Sequence, residues 1–194
     1  MALSWLFPSD ALAPLVARAQ AGEEQAFAGL YDALYPRVWA FVVRRTRTRE
    51  DAEDVTSRTF HRLLEKLAQV DVRRGGPLPF ALAIARNLLI DDLRAQRTGL
   101  SLEEAGASLV ESRDPLGELL REEELRRLRA AVDRQPPEVR ELLTLRFADG
   151  LGHGEIAALL GVNEAAVRQR TSRALRALKQ ELSSPSTEEV VHEP

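Results

Sequence analysis

The chain has no cysteine, which excludes a disulfide framework, a thiol nucleophile and any Cys-ligated zinc site. Histidine is nearly as scarce, and His61, His153 and His192 are too scattered to share a metal-ligand spacing. Two Trp and two Tyr are thinly spread among 194 residues rich in Ala, Leu, Arg and Glu, a mix that favours helix over sheet. No apolar run approaches the roughly 18 residues that read as a membrane span. The opening MALSWLFPSD has no basic n-region and is too short for a secretory signal. A GxxxxGK[ST] phosphate loop is absent. Asp91 and Asp92 are adjacent, so on a helix they point about 100° apart and do not jointly grip one ion. These absences lead to an all-α, cytoplasmic, non-enzymatic protein with no metal and no cofactor.

What is present is an uneven distribution of charge. The formal total is −3. Yet residues 163–179 hold Arg168, Arg170, Arg173, Arg176 and Lys179 against Glu164 alone, a local charge of +4. Residues 37–49 hold Arg37, Arg44, Arg45, Arg47 and Arg49 with no acid. Residues 101–124 carry eight acids against two arginines, and the last fourteen residues have four Glu and no cation. Basic faces separated by an acidic connector suit a polyanionic partner despite the acidic total.

Periodicity and punctuation predict two small helical domains. Residues 1–9 read as an N-terminal extension, and 10–98 as a first domain with helices near 10–21, 23–35, 36–46, 49–68 and 78–97. Asp10 can cap the first of these and Gly22 interrupts it. TRED from Thr48 to Asp51 fits a capping box. Beyond it Ala52, Val55, Thr59, Phe60, Leu63, Leu64 and Leu67 form a buried stripe. RRGGPLP, from Arg73 to Pro79, stops any helix. Residues 99–117 are polar, acidic and aperiodic, a flexible linker. A second domain follows over 118–182, broken at Pro136–Pro137, and 183–194 has the composition of a disordered acidic tail.

HGEIAALLGVNEAAVRQRTS, from His153 to Ser172, has the helix-turn-helix pattern. Ala157 lets two helices cross closely, Gly161 permits a left-handed turn, and Asn163 can cap the second helix with Glu164 at its positive end. On a wheel Val167, Thr171, Ala174 and Leu178 share one face. Ala165, Gln169, Ser172 and Arg176 lie opposite, flanked by Arg168 and Arg173. Such a helix suits the major groove, with Arg and Gln reaching base edges and other cations meeting phosphates. Charge alone also fits a solvated surface helix; the Ala–Gly–Val spacing and the caps favour DNA.

The first domain carries a second pattern. Asp51, Ala52, Glu53, Asp54, Val55, Thr59 and Phe60 stand in REDAEDVTSRTF, then Ile84, Ala85, Asn87, Asp91 and Arg94 in FALAIARNLLIDDLRAQR. Pro137, Arg140, Leu143, Leu145, Arg146, EIAALLGV and VRQRTSRA follow in the second domain. Over about residues 20–180 the chain resembles the bacterial extracytoplasmic-function (ECF) sigma factors. The resemblance implies that the first domain (region 2) binds the clamp of core RNA polymerase and melts the −10 element. It implies that the second (region 4) binds the flap and reads the −35 element, and that an anti-sigma factor restrains both.

Carried over residue by residue, Asp51, Glu53 and Asp54 would meet the polymerase. Arg73 and Arg74, in the loop from Gln69 to Pro79, with Arg86, Asn87 and Arg94 would hold the −10 strand, although Asn87 can equally cap or cross-link helices. Arg168, Gln169, Ser172, Arg173 and Arg176 would read the −35 element. Three departures stand out. Ser57-Arg58 replaces the usual Gln-Glu pair and puts a cation beside the clamp contact; Phe80 replaces a Trp; Thr171 replaces a Leu. The alternative is a stand-alone helix-turn-helix regulator that needs no polymerase.

Overall fold

The computed structural model describes the backbone of residues 9–97 and 115–183, with side chains from 11 to 95 and from 123 to 183. The N-terminal extension (Trp5, Leu6 and Phe7 included), most of the acidic linker and the tail lie outside the described residues. Eight α-helices form among the described ones: α1 Ala13–Gln20, α2 Glu24–Val43, α3 Arg49–Glu65, α4 Pro77–Arg97, α5 Pro115–Asp133, α6 Pro137–Leu143, α7 His153–Leu160 and α8 Glu164–Ser183. None of them is long and apolar enough to cross a membrane.

Helices α1 to α4 pack on one another around Leu30, Leu34, Val38, Phe41, Leu63, Leu82 and Leu88, all essentially without solvent contact. The predicted break between 35 and 36 does not occur: α2 runs through Pro36. A proline inside a helix costs about 3 kcal/mol. Leu30 and Leu34 before it and Val38, Phe41 and Val42 after it share one buried stripe, and burying each contributes roughly 1.5–3 kcal/mol. Burial outweighs the lost hydrogen bond.

Helix α1 is also entered differently from expectation. A 3-10 turn, Ser9–Leu12, contains Asp10, and the position before α1 is Leu12, which has no capping side chain. Gly22 takes the left-handed φ that the turn into α2 requires. At α3 half of the predicted capping box forms: Thr48 Oγ1 accepts from the Asp51 N–H at 3.0 Å. No return bond from the Asp51 carboxylate is present among the described residues, since Asp is one methylene shorter than the Glu or Gln the box needs. The buried stripe of α3 matches expectation except at Leu64, which is half-exposed, while Thr56 fills the middle of the stripe. Leu64 sits about 100° around the helix from Leu63, beyond the edge of the packed face.

The second unit has a small core of its own, Ala131, Leu143, Ala174 and Leu178. Its other buried apolar residues, among them Leu145, Leu151, Ile156 and Leu159, join the core of the first unit, with α7 packed on α4. Between α6 and α7 the chain makes a π turn, Thr144–Ala148, and Leu151 N–H then returns to the Leu145 carbonyl at 3.0 Å.

Candidate nucleic-acid and polymerase interface

The two helices α7 and α8 are set by local chemistry. The Glu155 carboxylate accepts from the Gly152 N–H at 2.7 Å and starts α7. Gly161 ends it with φ +66°, and the Val162 N–H reaches back to the Ala157 carbonyl. Asn163 Oδ1 accepts from the Ala165 N–H at 2.7 Å and starts α8, with Glu164 in its first turn. Val167, Thr171, Ala174 and Leu178 are buried, and Thr171, the residue in place of a Leu, satisfies its hydroxyl on the Val167 carbonyl at 2.9 Å. With that face fixed inward, Arg168, Gln169, Ser172, Arg173 and Arg176 are all exposed together. Arg168 pairs with Glu164 at 2.7 Å, Arg176 leans on the Ser172 carbonyl at 3.3 Å, and Arg173 has no ion pair among the described residues.

The residues expected to act on the −10 strand lie in the loop before α4 and on α4, and differ in availability. Gln20 donates to the Leu67 and Val70 carbonyls at 2.9 and 3.0 Å, which anchors the loop from Gln69 to Pro79. Asp71 Oδ1 then accepts from the Arg73 N–H, leaving Arg73 and Arg74 exposed. Asn87 is exposed and makes no side-chain hydrogen bond among the described residues, so it neither caps nor cross-links a helix there. Arg94 is exposed, 3.8 Å from Asp91. Arg86 is the exception. Its Nε meets Glu141 Oε1 at 2.6 Å, and this bond pushes the guanidinium pKa above its ordinary value.

Asp51, Glu53 and Asp54 are exposed on α3, opposite its buried stripe. Glu53 bonds Arg49 at 2.8 Å and Asp54 bonds Arg58 at 3.0 Å. Arg58 also reaches Asp92 on α4 at 3.1 Å. The bonds to Asp54 and then to Asp92 raise its pKa. The cation at this departure therefore clasps α3 to α4 rather than standing free beside the acidic patch.

Two features escape sequence reasoning. Asp149, with its side chain 2% exposed, is held by Arg44 and Arg45, each at 2.6 Å, and Arg45 lies 3.7 Å over the Phe41 ring. The basic run 37–49 signalled half of this cluster, but its partner lies over a hundred residues away. The second is an apolar groove of about 430 Å³ on the second unit, lined by Leu128, Val132, Leu143, Phe147 and Leu175. Phe147 is 58% exposed at its lip.

An exposed Arg/Gln face on the second helix of a helix-turn-helix, packed beside a second helical unit, defines a two-part all-α protein of the helix-turn-helix class. Comparison with known proteins gives the particular family. Residues 30–98 match the model of Sigma-70 region 2, and residues 125–178 that of Sigma-70, region 4. The chain belongs to the sigma-70 family, among the ECF sigma factors. The ECF RNA polymerase sigma factor BldN of Streptomyces coelicolor is 36% identical over 167 residues, covering 84% of this chain and 63% of BldN. The ECF RNA polymerase sigma factor SigK of Mycobacterium ulcerans is 28% identical over 174 residues, covering 88% of this chain and 93% of SigK. The chain thus spans less than two thirds of BldN and nearly all of SigK. The fold is shared with the sigma factor RpoE of Bartonella quintana, solved with the anti-sigma factor NepR. Its TM-score is 0.57 at 19% identity, covering 82% of this chain and 98% of that one.

Proposed function

We propose that this chain is a cytoplasmic promoter-specificity factor, one that binds core RNA polymerase and directs initiation at promoters with −10 and −35 elements. The observation that carries the reading is α8, whose five candidate readers are exposed on one face because Val167, Thr171, Ala174 and Leu178 are buried on the other. In this reading Arg168, Gln169, Ser172, Arg173 and Arg176 read the −35 element in the major groove. Arg73, Arg74, Arg86, Asn87 and Arg94 hold the −10 strand. Unstacking a base costs a few kcal/mol, which stacking and charge contacts in the holoenzyme offset without nucleotide hydrolysis.

Residues 10–98 would then serve core binding and −10 melting, 118–182 −35 recognition, and 99–117 the connection between them. Asp51, Glu53 and Asp54 face the polymerase clamp, and the apolar groove beside Phe147 takes an apolar segment of the flap. An anti-sigma factor, the kind of partner NepR is to RpoE, belongs to the same reading.

The test is a titration of fluorescently labelled protein with core RNA polymerase. Saturable binding is expected, weakened roughly tenfold or more when Asp51→Asn, Glu53→Gln and Asp54→Asn are combined. A protein that binds duplex DNA at two-fold half-sites but shows no affinity for core would instead be a stand-alone regulator.

A further inference from the structure

The apolar groove beside Phe147 runs on along α8 toward the end of that helix. Its walls include Leu128 and Val132 of α5 and Leu175 and Leu178 of α8. At 100° per residue Leu175, Leu178 and Leu182 fall within about 60° of one another, so the apolar strip reaches the last turn. Leu182 and Leu175 are both half-exposed, as are Leu128 and Phe147. The ends of α5 and α8 are held together there by Arg134 and Glu181 at 2.5 Å. A strip of this kind is surface that a partner segment covers.

The rim of the groove is basic. Arg129 follows Leu128 on α5, and Lys179 stands one turn beyond Leu175 on α8. Both are exposed, and neither has an ion pair among the described residues. The covering segment is therefore expected to be acidic with a short apolar centre. The stretch after α8, SPSTEEVVHEP, has that composition: Glu188, Glu189 and Glu193 surround Val190 and Val191, with no Lys or Arg. Pro185 turns the chain away from a continuing helix. From Ser183 the groove at Leu175 lies about 12 Å back along α8 at 1.5 Å per residue. The residues from Ser183 to Val190 extend to about 23 Å, enough to turn and return. The N-terminal MALSWLFP is more apolar, but it has no acid to meet the rim and joins the chain ahead of α1, on the first unit.

We infer that the groove is the seat of the chain's own C-terminal tail, with Val190 and Val191 against Leu128, Phe147 and Leu175, and Glu188, Glu189 and Glu193 facing Arg129 and Lys179. The tail then competes with any apolar segment that uses the same groove. That this competitor is the polymerase flap rests on the reading given under Proposed function; the seat itself does not.

The test compares NMR spectra of the methyl-labelled full chain and of a chain ending at Ser183. The seat predicts that removing the tail shifts the methyl signals of Leu128, Val132 and Leu175, while those of Leu30 and Leu88 in the first unit stay put. V190S/V191S should reproduce these shifts, and E188Q/E189Q the part of them that added salt also removes. A synthetic peptide of residues 184–194, added to the shortened chain, should return the signals toward their full-length positions. A tethered tail acts at an effective concentration on the order of 1 mM, so a peptide Kd of about 1 mM or tighter is expected.

Shifts confined to Leu182 and its neighbours, or a flat response to the peptide at that concentration, overturn the proposal. So do groove shifts that appear on deleting residues 1–8 instead, which assign the groove to the N-terminal extension. Groove shifts that grow with protein concentration assign it to a second copy and overturn it as well. Core polymerase gives the second readout. A tail that covers the groove nine-tenths of the time lowers core affinity about tenfold, and the shortened chain should recover it. Equal core affinity for the two chains would overturn the competition. The NMR readouts use free protein alone, so a chain that never binds core leaves them interpretable, and a seat that fails leaves the core-binding titration untouched.

Discussion

The arginines of the two units are held in opposite ways. On α8 only Arg168 carries an ion pair among the described residues, and the outward face is open to a ligand. In the first unit Arg44, Arg45, Arg58 and Arg86 are each forked onto carboxylates, and three of these four bonds come from the other unit or tie it down. In the proposed reading the same residue type is thus a reader in one place and a fastener in the other. What separates the two roles is local acid. Helix α8 has one acid near its start, whereas the first unit's cations face Asp149, Glu141 and Asp92 across helix–helix contacts.

The comparison is broken most strongly by removing what the fasteners surround. Ile156 has no solvent exposure and lies where the second unit joins the shared core. Ile156→Ala should cost about 2–5 kcal/mol in urea or thermal unfolding. Leu175→Ala, on the half-exposed lip of the groove, should stay within about 0.5 kcal/mol. Next in size is the proposed reader. Arg173→Ala should weaken −35 recognition by about 1–3 kcal/mol if the guanidinium forks onto a base. Arg176→Ala should cost less and mainly lower the salt dependence of binding. Equal, sequence-independent losses for both would remove base reading from the account.

Much of this contrast was legible in the sequence on one side only. The face of α8, its Asn163 cap and the Gly161 turn follow from local periodicity and local hydrogen bonding, and all appear where the spacing put them. The fasteners were not legible, because Arg86 and Glu141 are 55 residues apart and Arg45 and Asp149 are 104 apart. No local pattern encodes which acid a basic run will meet. The π turn leaves no compositional trace either. Pro36 misled in the other direction: a strong breaker was overridden by a stripe of core residues visible only once α3 and α4 are packed against it.

Arg58 offers a finer test of the same contrast. Its side chain is only partly buried, so its pairs with Asp54 and Asp92 contribute little, and Arg58→Ala should cost only about 0.2–1 kcal/mol of stability. Freed from its partner, Asp54 should tighten core polymerase binding by roughly threefold, as rim charges do at protein interfaces. A loss of core affinity would make Arg58 itself a clamp contact.

The smallest effect expected concerns pH. Hydrogen bonds from Arg18 hold Glu23 below the usual carboxylate range, and those from Arg127, with Arg126 beside it, do the same for Glu123. A carboxylate with a depressed folded-state pKa stabilises the fold above its unfolded pKa and loses that contribution as pH falls through the folded value. Acidification should therefore lower the unfolding temperature slightly in the wild type and less in E23Q/E123Q. Both groups lie at the surface, partly exposed, so the difference should also shrink with added salt.

The central claim, that the two units act together as a promoter-specificity factor, is tested most directly by mapping transcript 5′ ends. The purified protein is added to bacterial core RNA polymerase with fragmented genomic DNA. The account predicts discrete new starts, each preceded by two shared sequence motifs near −10 and −35, the upstream one relaxed by Arg173→Ala. Duplex binding by the protein alone, with no new starts in the presence of core, would contradict it.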